Sequence, residues 1–168
     1  MGYTLEQFAG DIRAALKADA GPAGREKVRE LTAKALHDTG FVAACFEKPA
    51  VKEREVLFED AELGFCVCRH VYDGPKGGAP HDHGPTWAIY GQAVGETEMT
   101  DWRYVVPPQG DTPGKVEKTR TYSLKPGDAH LYDIGAVHAP LRAGPTRLIR
   151  IEGVNTDTVT RTAIEPVS

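Results

Sequence analysis

The stretch that decides the fold spans residues 80–95 and reads PHDHGPTWAIYGQAVG. Its two histidines, His81 and His83, lie two residues apart and follow the loop DGPKGGAP, which is rich in glycine and proline. On a β-strand this spacing points both imidazoles to one face, where they can share a metal ion. A single His-x-His pair also occurs in ordinary turns, so a metal site requires a third ligand from elsewhere in the chain.

The composition is typical of one globular domain rather than of a nucleic-acid-binding or membrane protein. The chain has 168 residues, of which 40% are hydrophobic and 26% are charged, and its net charge is -4. That length matches a single domain, and a negative charge balance disfavours binding to phosphate backbones. No apolar run approaches the roughly 20 residues that span a bilayer, and the N-terminus lacks the pattern of a secretory signal. We therefore expect no nucleic-acid partner and no membrane partner.

The three cysteines, Cys45, Cys66 and Cys68, leave at least one thiol unpaired. Without a secretory signal, an odd count favours the reducing cytoplasm over a disulfide framework, and we predict a cytoplasmic protein. Cys66 and Cys68 are two residues apart, so on a strand both point to the same face. They are either metal ligands or two small apolar residues on the inner face of a strand, and the second interpretation is favoured.

Two helices are predicted before the histidine stretch. Residues 4–7, TLEQ, form a capping-box pattern at the start of a helix that continues to about Ala18. A second helix is expected from about Pro22 to His37, ending before a glycine. Both segments repeat apolar residues at helical spacing, so each has one face that can pack against a core.

After residue 40 the sequence changes to short runs of Val, Phe, Tyr, Ile and Thr that alternate with Gly, Pro and Asp clusters. This pattern predicts many short strands in a sandwich or barrel. The predicted strands span residues 55–58, 65–72, 86–90, 92–103, 115–122, 129–134 and 147–152. We predict a single domain, 1–168, with helices in 1–40, a β-barrel in 41–155 and a C-terminal tail in 156–168.

A third histidine occurs in a second stretch, residues 127–138, which reads GDAHLYDIGAVH. The two stretches together resemble the two sequence motifs of the cupin superfamily. In the first motif a glycine follows His-x-His at a turn, here Gly91 or Gly95. In the second, Gly-Asp, four residues and Pro-x-Gly precede a histidine, here His138, and Asp133 replaces the proline. The resemblance implies an all-β fold, the double-stranded β-helix or cupin jelly-roll barrel, preceded by two N-terminal α-helices.

The resemblance also implies that His81, His83 and His138 bind one metal ion. Cupins usually add a glutamate four or five residues after His-x-His, but Trp87 and Ala88 occupy those positions here. The implied site therefore consists of three histidines, with coordination positions left open for other ligands. Iron(II) is the metal that we expect, while zinc, nickel, copper and manganese also accept such ligands.

Several nearby side chains have two interpretations. His130 also lies in the second stretch, but the spacing of the motif favours His138 as the ligand. Tyr90 and Tyr132 either pack the barrel or offer a phenol that hydrogen-bonds an oxygen species at the metal. Asp82, between the first two histidines, is expected to orient an imidazole or to face solvent.

Within the cupins, the chain resembles the thiol dioxygenases, the group of cysteine dioxygenase and 3-mercaptopropionate dioxygenase. The resemblance rests on the three-histidine set, the N-terminal helices and the sequence PHDHGPTW. The resemblance covers about residues 25–152. It implies that iron(II) and O₂ oxidise a small thiol to a sulfinate. These enzymes bind the substrate carboxylate with an arginine on an early strand, and Arg54, 27 residues before His81, lies close to that position. Arg54 is accordingly either a bidentate carboxylate ligand or a solvated charge.

One feature of the thiol dioxygenases is missing. Where that family has Ser-x-His-x-Tyr, this chain has Leu148, Arg150 and Glu152. Alternation along a strand puts Arg150 and Glu152 on one face. If the pair points inward, it can bind a polar or charged substrate or position a proton. If it points outward, it forms a salt bridge on the outside of the barrel.

The function that follows from these features is a metal-dependent dioxygenase that oxidises a small organic acid, with oxidation of a thiol to a sulfinate as one candidate reaction. Its partners would be the small-molecule substrate and O₂. A non-catalytic metal- or ligand-binding cupin, such as a sensor, is the first alternative, because the fold does not decide function. Another metal-centred enzyme, such as a C–C cleaving dioxygenase or an isomerase, is the second. The resemblance to cupins also implies a homodimer.

Overall fold

The computed structural model describes residues 2–167, so the two ends of the predicted domain, residues 1 and 168, lie outside the described part. The helices are α1 (Leu5–Ala18), α2 (Pro22–Leu36) and α3 (Thr39–Cys45). The strands are β1 (Arg54–Glu59), β2 (Cys66–Tyr72), β3 (Lys76–Gly77), β4 (Ala88–Val94), β5 (Thr97–Val106), β6 (Gly114–Leu124), β7 (Ala129–Tyr132), β8 (Val137–Arg142), β9 (Thr146–Glu152) and β10 (Ile164–Pro166). A short 3₁₀ helix spans Thr156–Thr158.

The predicted capping box at the start of α1 is confirmed. The Thr4 hydroxyl accepts a hydrogen bond from the Gln7 backbone N–H at 3.1 Å, and the Gln7 side chain accepts one from the Thr4 N–H at 2.9 Å. Two of the backbone donors at the helix start are therefore satisfied. The buried face of α1 carries Phe8 and Ile12, which pack into the core below the helices.

A third helix, α3, was not predicted. Gly40 was expected to end the helical region, but it lies inside α3. The Asp38 carboxylate accepts a hydrogen bond from the Phe41 backbone N–H at 2.9 Å and so caps the start of a new helix. A good N-cap offsets the modest helix penalty of one glycine. The helical segment consequently extends to Cys45 rather than ending at residue 40.

Ten strands form two five-stranded sheets that face each other. The strand orders are β1-β2-β9-β4-β7 and β10-β6-β5-β8-β3. Apart from the parallel pair β10 and β6, the pairings are antiparallel. Two curled antiparallel sheets with crossovers between them form the jelly-roll barrel, or double-stranded β-helix, that the two histidine stretches predicted.

The turn after the first histidine stretch is at Gly95, not Gly91. Strand β4 runs through Gly91, so the predicted break there is wrong. Gly95 has φ of 76°, a left-handed conformation that favours glycine, and it joins β4 to β5. Gly91 is needed for another reason. A Cβ on it would lie 3.0 Å from the Thr32 side chain and 3.2 Å from the Leu36 side chain, so its absence lets α2 approach β4 closely.

Strands β8 and β10 were also missed by the sequence analysis. Strand β8 pairs with β5, and His138 lies opposite Asp101 in this pair. Strand β10 lies in the segment predicted as a tail, and Ile164 pairs with Gly114 of β6. The C-terminal segment is therefore part of the second sheet, and it approaches the loop that carries His83.

Alternation along β9 separates the two cores of the molecule. Ile149 and Ile151 point outward into an apolar core beneath the helices, together with Ile89 of β4. Leu148 and Tyr90 point into the barrel and belong to a second core. The helices therefore cover the outer face of one sheet, and the polar side chains of β9 point into the barrel. Among residues 2–167, no helix is both long and apolar enough to cross a membrane.

Candidate metal centre

The three predicted histidines meet at one end of the barrel. His81 forms an isolated bridge with His138, in which each backbone N–H donates to the other residue's carbonyl at 3.0 Å. His83 lies in the loop that follows, so the two histidines do not share one strand. The loop nevertheless brings His83 Nε2 to 3.1 Å from His138 Nε2. The candidate ligand nitrogens of all three residues lie within 4.8 Å of one another.

Backbone carbonyls select the tautomer of two of these imidazoles. His81 Nδ1 lies 2.9 Å from the Ala79 carbonyl oxygen, and His138 Nδ1 lies 3.1 Å from that of Ala136. A carbonyl oxygen only accepts hydrogen bonds, so each Nδ1 carries the proton. The Nε2 atoms then present their lone pairs to the shared space, which is the arrangement expected of metal-ligating histidines.

The three imidazoles are neutral at neutral pH. Burial lowers the pKa of His81 from 6.5 to about 4. Burial also lowers the pKa of His83 and of His138 below the usual histidine range. The positive charge of Arg150 lowers the pKa of His83 further, and the neighbouring His81 lowers the pKa of His138 further. A metal binds the unprotonated form of histidine. Three neutral nitrogen donors that converge on one point fit a first-row divalent ion such as iron or zinc.

His130 is not part of this group. Its ring stacks between Tyr122 and Tyr132, with ring centroids at 5.1 Å and 4.5 Å. Tyr132 in turn stacks on the His138 ring at 4.0 Å, and its hydroxyl lies 2.6 Å from the Tyr122 hydroxyl. The spacing of the second motif therefore selected the histidine that lies with His81 and His83. Tyr132 supports the back of the His138 ring, while its hydroxyl is engaged with Tyr122.

Tyr90 places its hydroxyl directly at the histidine group. The Tyr90 oxygen lies 3.0 Å from His138 Nε2 and 3.2 Å from His83 Nε2. The side chain is fully buried, and burial raises the pKa of the phenol, so the hydroxyl keeps its proton. The Arg150 guanidinium carbon lies 4.1 Å from the centre of the Tyr90 ring. Tyr90 is thus a protonated donor at the position where the metal would be held.

Asp82 neither contacts an imidazole nor faces solvent. It is buried, and its carboxylate accepts hydrogen bonds from the backbone N–H groups of Gly84 and Thr162 at 2.9 Å and 3.0 Å. These bonds tie the loop that carries His83 to the C-terminal segment. Asp82 therefore helps to place the histidine loop rather than to orient a ring.

Arg150 and Glu152 point into the barrel, which decides between the two predicted orientations. Glu152 is fully buried, and Arg150 Nη1 lies 3.6 Å from its carboxylate. Arg54 lies closer, with its Nη2 at 2.6 Å from the Glu152 carboxylate and its Nη1 at 2.8 Å from that of Asp157. Burial raises the pKa of the Glu152 carboxyl, but Arg150 and Arg54 outweigh it and hold that pKa below its usual value. The predicted carboxylate-binding Arg54 is therefore paired with two carboxylates of the chain itself.

Cys66 and Cys68 are packed as small buried residues. Their sulfur atoms are 3.6 Å apart, and Cys66 Sγ lies 3.5 Å from a Glu152 oxygen. The contact with Cys68, together with burial, raises the pKa of the Cys66 thiol, so it remains protonated. The Glu152 oxygens already accept hydrogen bonds from Arg54 and Thr156. Although these three side chains lie close enough together to suit a metal, the protonated Cys66 thiol and an ion-paired carboxylate are poor ligands, which supports the structural interpretation.

A cavity of about 680 Å³ opens beside the histidine group. His81, His83 and Tyr90 form part of its wall. The charged side chains that line it are Arg54, Lys76, Arg142, Arg150, Arg161, Glu53 and Asp157. Positive charge is therefore in excess inside the cavity, although the whole chain is negative. Such a cavity favours an anionic small molecule.

Arg142 and Tyr72 line this cavity together with His70, and neither of the first two is predicted from the sequence. His70 Nδ1 lies 3.0 Å from the Tyr72 hydroxyl, and the Arg142 guanidinium carbon lies 4.5 Å from the centre of the Tyr72 ring. A signal was present, because Arg142 follows His138 by four residues and alternation along a strand puts both on one face. That signal was lost because β8 itself was not predicted.

Comparisons with known proteins assign no function to the chain. No family model matches the chain, and no curated protein matches it. Solved structures of cupin domains do match. The cupin domain of Schizosaccharomyces pombe Cnp3 is 12% identical with a TM-score of 0.49, covering 66% of this chain and 68% of that one. KdgF from Halomonas sp. is 16% identical with a TM-score of 0.47, covering 66% of this chain and 90% of that one.

A third structure, a double-stranded β-helix protein from Klebsiella pneumoniae, is 19% identical with a TM-score of 0.46, covering 70% of this chain and 84% of that one. Likeness at this level assigns no activity to the chain. The fold and the histidine group together define a jelly-roll barrel with a candidate three-histidine metal centre.

Proposed function

We propose that this protein is a metal-dependent dioxygenase that uses iron(II), held by His81, His83 and His138, to oxidise a small organic acid. The observation that carries the proposal is the convergence of three neutral histidine nitrogens at the wall of a positively charged cavity. Three neutral protein ligands leave several coordination positions for a substrate and O₂. When bound, iron(II) would supply the redox chemistry that activation of O₂ requires.

The residues around the histidines support chemistry on an anion. Arg150 lies behind Tyr90 and keeps positive charge beside the histidines. The Tyr90 hydroxyl retains its proton and can donate a hydrogen bond to a polar atom held there. Tyr90, His83 and His138 are almost fully buried, and burial strengthens such interactions. A thiol acid fits this proposal as well as other small acids do, and oxidation of a thiol to a sulfinate is the reaction that the thiol dioxygenase resemblance suggests.

Oxygen consumption by the iron(II)-loaded protein tests the proposal. The panel should contain small thiol acids and the matching acids without a thiol. We expect one acid to stimulate O₂ uptake, and we expect His138→Ala to abolish that uptake. His130→Ala is the matched control, because His130 is a partly buried histidine of the same barrel that lies outside the histidine group. It should keep the activity of the parent protein.

The opposite result would be stable metal binding with no uptake for any acid of the panel. That result would contradict the dioxygenase and favour a metal- or ligand-binding protein without turnover. Consumption of substrate without O₂ would instead favour an isomerase or another metal-centred enzyme. Analysis of the product by mass separates a sulfinate, with two added oxygen atoms, from these alternatives.

A further inference from the structure

The positive charges in the cavity differ in whether the chain neutralises them. Arg54 pairs with Glu152 and Asp157, and Lys76 pairs with Glu53 at 3.1 Å. Arg150 shares the Glu152 carboxylate at a longer distance. The Arg161 side chain is exposed to water. Arg142 is different, because it is only 2% exposed and no carboxylate of residues 2–167 forms an ion pair with it.

The unpaired edge of Arg142 has the geometry of a carboxylate receptor. Its Nε and Nη2 atoms are both buried and have no hydrogen-bond partner within the described residues. These two nitrogens lie on one edge of the guanidinium, where their N–H bonds run parallel and match the two oxygens of a carboxylate. One face of the guanidinium lies over the Tyr72 ring, with its carbon 4.5 Å from the ring centre. The receptor edge is therefore fixed in place.

Four other residues of the same cavity also carry a buried nitrogen without a hydrogen-bond partner among the described residues: Arg54 Nε, His70 Nε2, His83 Nδ1 and Arg150 Nε. The two arginines among them already pair with Glu152 through their other nitrogens. Buried polar groups in folded proteins are almost always hydrogen-bonded, and a buried unpaired charge is destabilising. The unpaired edge of Arg142, whose guanidinium has no ion pair within residues 2–167, is therefore best explained by a ligand that supplies acceptor oxygens to this part of the cavity.

We propose that Arg142 binds the carboxylate of the substrate through its Nε–Nη2 edge, with Arg150 Nε as a neighbouring donor. Arg142 and the histidine group line one cavity, so a single small molecule can contact both. The substrate class is then a short acid that carries a second polar group, such as a thiol or hydroxyl, able to reach the metal. This assignment deepens the proposed function and replaces Arg54, which is already paired, as the carboxylate receptor. The anion site itself does not depend on turnover.

Binding of propionate to the metal-free protein tests the site without any catalysis. Propionamide is the matched probe, since it has the same shape without the charge. We expect the parent protein to prefer propionate, and Arg142→Gln to weaken propionate binding by at least about tenfold. Arg147→Gln is the control variant, because Arg147 lies on β9 with an exposed side chain outside the cavity. It should bind propionate as the parent does.

Thermal unfolding shows whether the variant is folded. We expect Arg142→Gln to melt at or above the temperature of the parent in the absence of ligand, because it removes an unpaired buried charge. If it fails to fold, Arg142→Lys retains the charge but loses the parallel pair of donors, and it should still bind propionate less tightly. Isothermal titration or ligand-observed NMR supplies the affinities.

Two results would overturn the assignment. One is equal binding of propionate and propionamide by the parent protein. The other is unchanged propionate affinity in Arg142→Gln or, should that variant not fold, in Arg142→Lys. If propionate binding depends on Arg142 while no acid stimulates O₂ uptake, the anion site stands and the dioxygenase is contradicted. If uptake occurs and propionate binding is independent of Arg142, the dioxygenase stands and this inference is wrong.

Discussion

Histidine binds a metal only through an unprotonated nitrogen, and at the residue scale burial keeps His81, His83 and His138 in that state. His70, which also lines the cavity, is buried as well, and its pKa is lowered by burial and by the nearby Arg150. The same burial has a consequence for folding, because the unfolded chain exposes all of these rings to water. Proton uptake is therefore linked to unfolding.

The first prediction concerns this linkage in the metal-free protein. Between the unfolded pKa of 6.5 and a folded value of about 4 for His81, the unfolded chain binds a proton that the folded chain does not bind. The free energy of unfolding should therefore decrease as the pH falls from about 7 to about 5, by up to about 2 kcal/mol for each such histidine. Urea titration at both pH values in the presence of a chelator measures the decrease.

His138→Ala should show a smaller decrease than the parent, by about 1–2 kcal/mol, since one buried imidazole is removed. His37→Asn should behave like the parent, because His37 is exposed. The range stays above the region where carboxylates titrate, so acidic groups contribute little. Equal stability of the parent at the two pH values would show that the histidines are not buried as described.

The second prediction concerns the hydroxyl of Tyr90. Tyr90→Phe removes the donor beside the Nε2 atoms but keeps the ring against Arg150. We expect metal content to be unchanged and turnover with the best acid to fall by about tenfold or more. Tyr122→Phe is the control, because its hydroxyl contacts Tyr132 and Asp101 rather than the histidines. A Tyr90→Phe variant with the turnover of the parent would remove Tyr90 from the proposed chemistry.

At the scale of elements, the close contact between α2 and β4 depends on Gly91, which has no side chain. Gly91→Ala would bring a Cβ to 2.9 Å from the Ile149 carbonyl oxygen and to 3.0 Å from the Thr32 side chain. We expect this crowding to lower the free energy of unfolding by about 1–3 kcal/mol. Gly144→Ala is the control, since nothing lies within 4 Å of its added Cβ. Chemical denaturation compares the two variants, and equal stabilities would contradict the close approach of the helix.

The ion pair between β1 and β9 provides the fourth prediction. Arg54→Gln leaves the fully buried Glu152 with the longer contact to Arg150 as its remaining ion pair. Because breaking a buried pair leaves an uncompensated charge, we expect a loss of about 2–3 kcal/mol, somewhat reduced by the partial exposure of Arg54. Arg103→Gln breaks an exposed pair with Glu117 and should cost less than about 0.5 kcal/mol. Similar losses in both variants would show that Glu152 is not buried as an anion.

The elements that the sequence predicted well are those with a strong local signal. The capping box of α1 and the alternating pattern of β9 are examples, because short-range chemistry decides both. Helix α3 is not predicted because Gly40 is a typical end of a helix, whereas the Asp38 cap that starts a new helix is a contact seen in the structure. Strand β8 was missed because His138, Pro140 and their neighbours lack the usual strand composition. Pairing with β5 makes this segment a strand, and such pairing is not a local property.

At the scale of the whole molecule, the barrel brings together charged side chains that are far apart in the sequence. The chain has a net charge of -4, yet the cavity wall carries more positive than negative side chains. Helices cover the outer face of one sheet, so the polar residues of β9 have only the barrel interior to occupy. This layering explains how Arg150 and Glu152 come to be buried beside the histidines.

The three histidines could be predicted from sequence because two motifs with defined spacing carry them. The role of Arg142 could not be predicted from sequence. It depends on which arginines have a carboxylate partner in the folded structure, and Arg142 has none among the described residues. Arg54 illustrates the difference. Its distance along the chain from His81 is close to that of the carboxylate-binding arginine in the thiol dioxygenases, but folding places it against Glu152 and Asp157.

The fifth prediction tests the central claim, which is that His81, His83 and His138 hold one metal ion. The protein should be reconstituted with iron(II) without oxygen, desalted and analysed for bound metal. We expect about one iron per chain in the parent and in His130→Ala, and almost none in His138→Ala. Equal iron in all three proteins, or none in the parent, would contradict the metal centre and every functional proposal built on it.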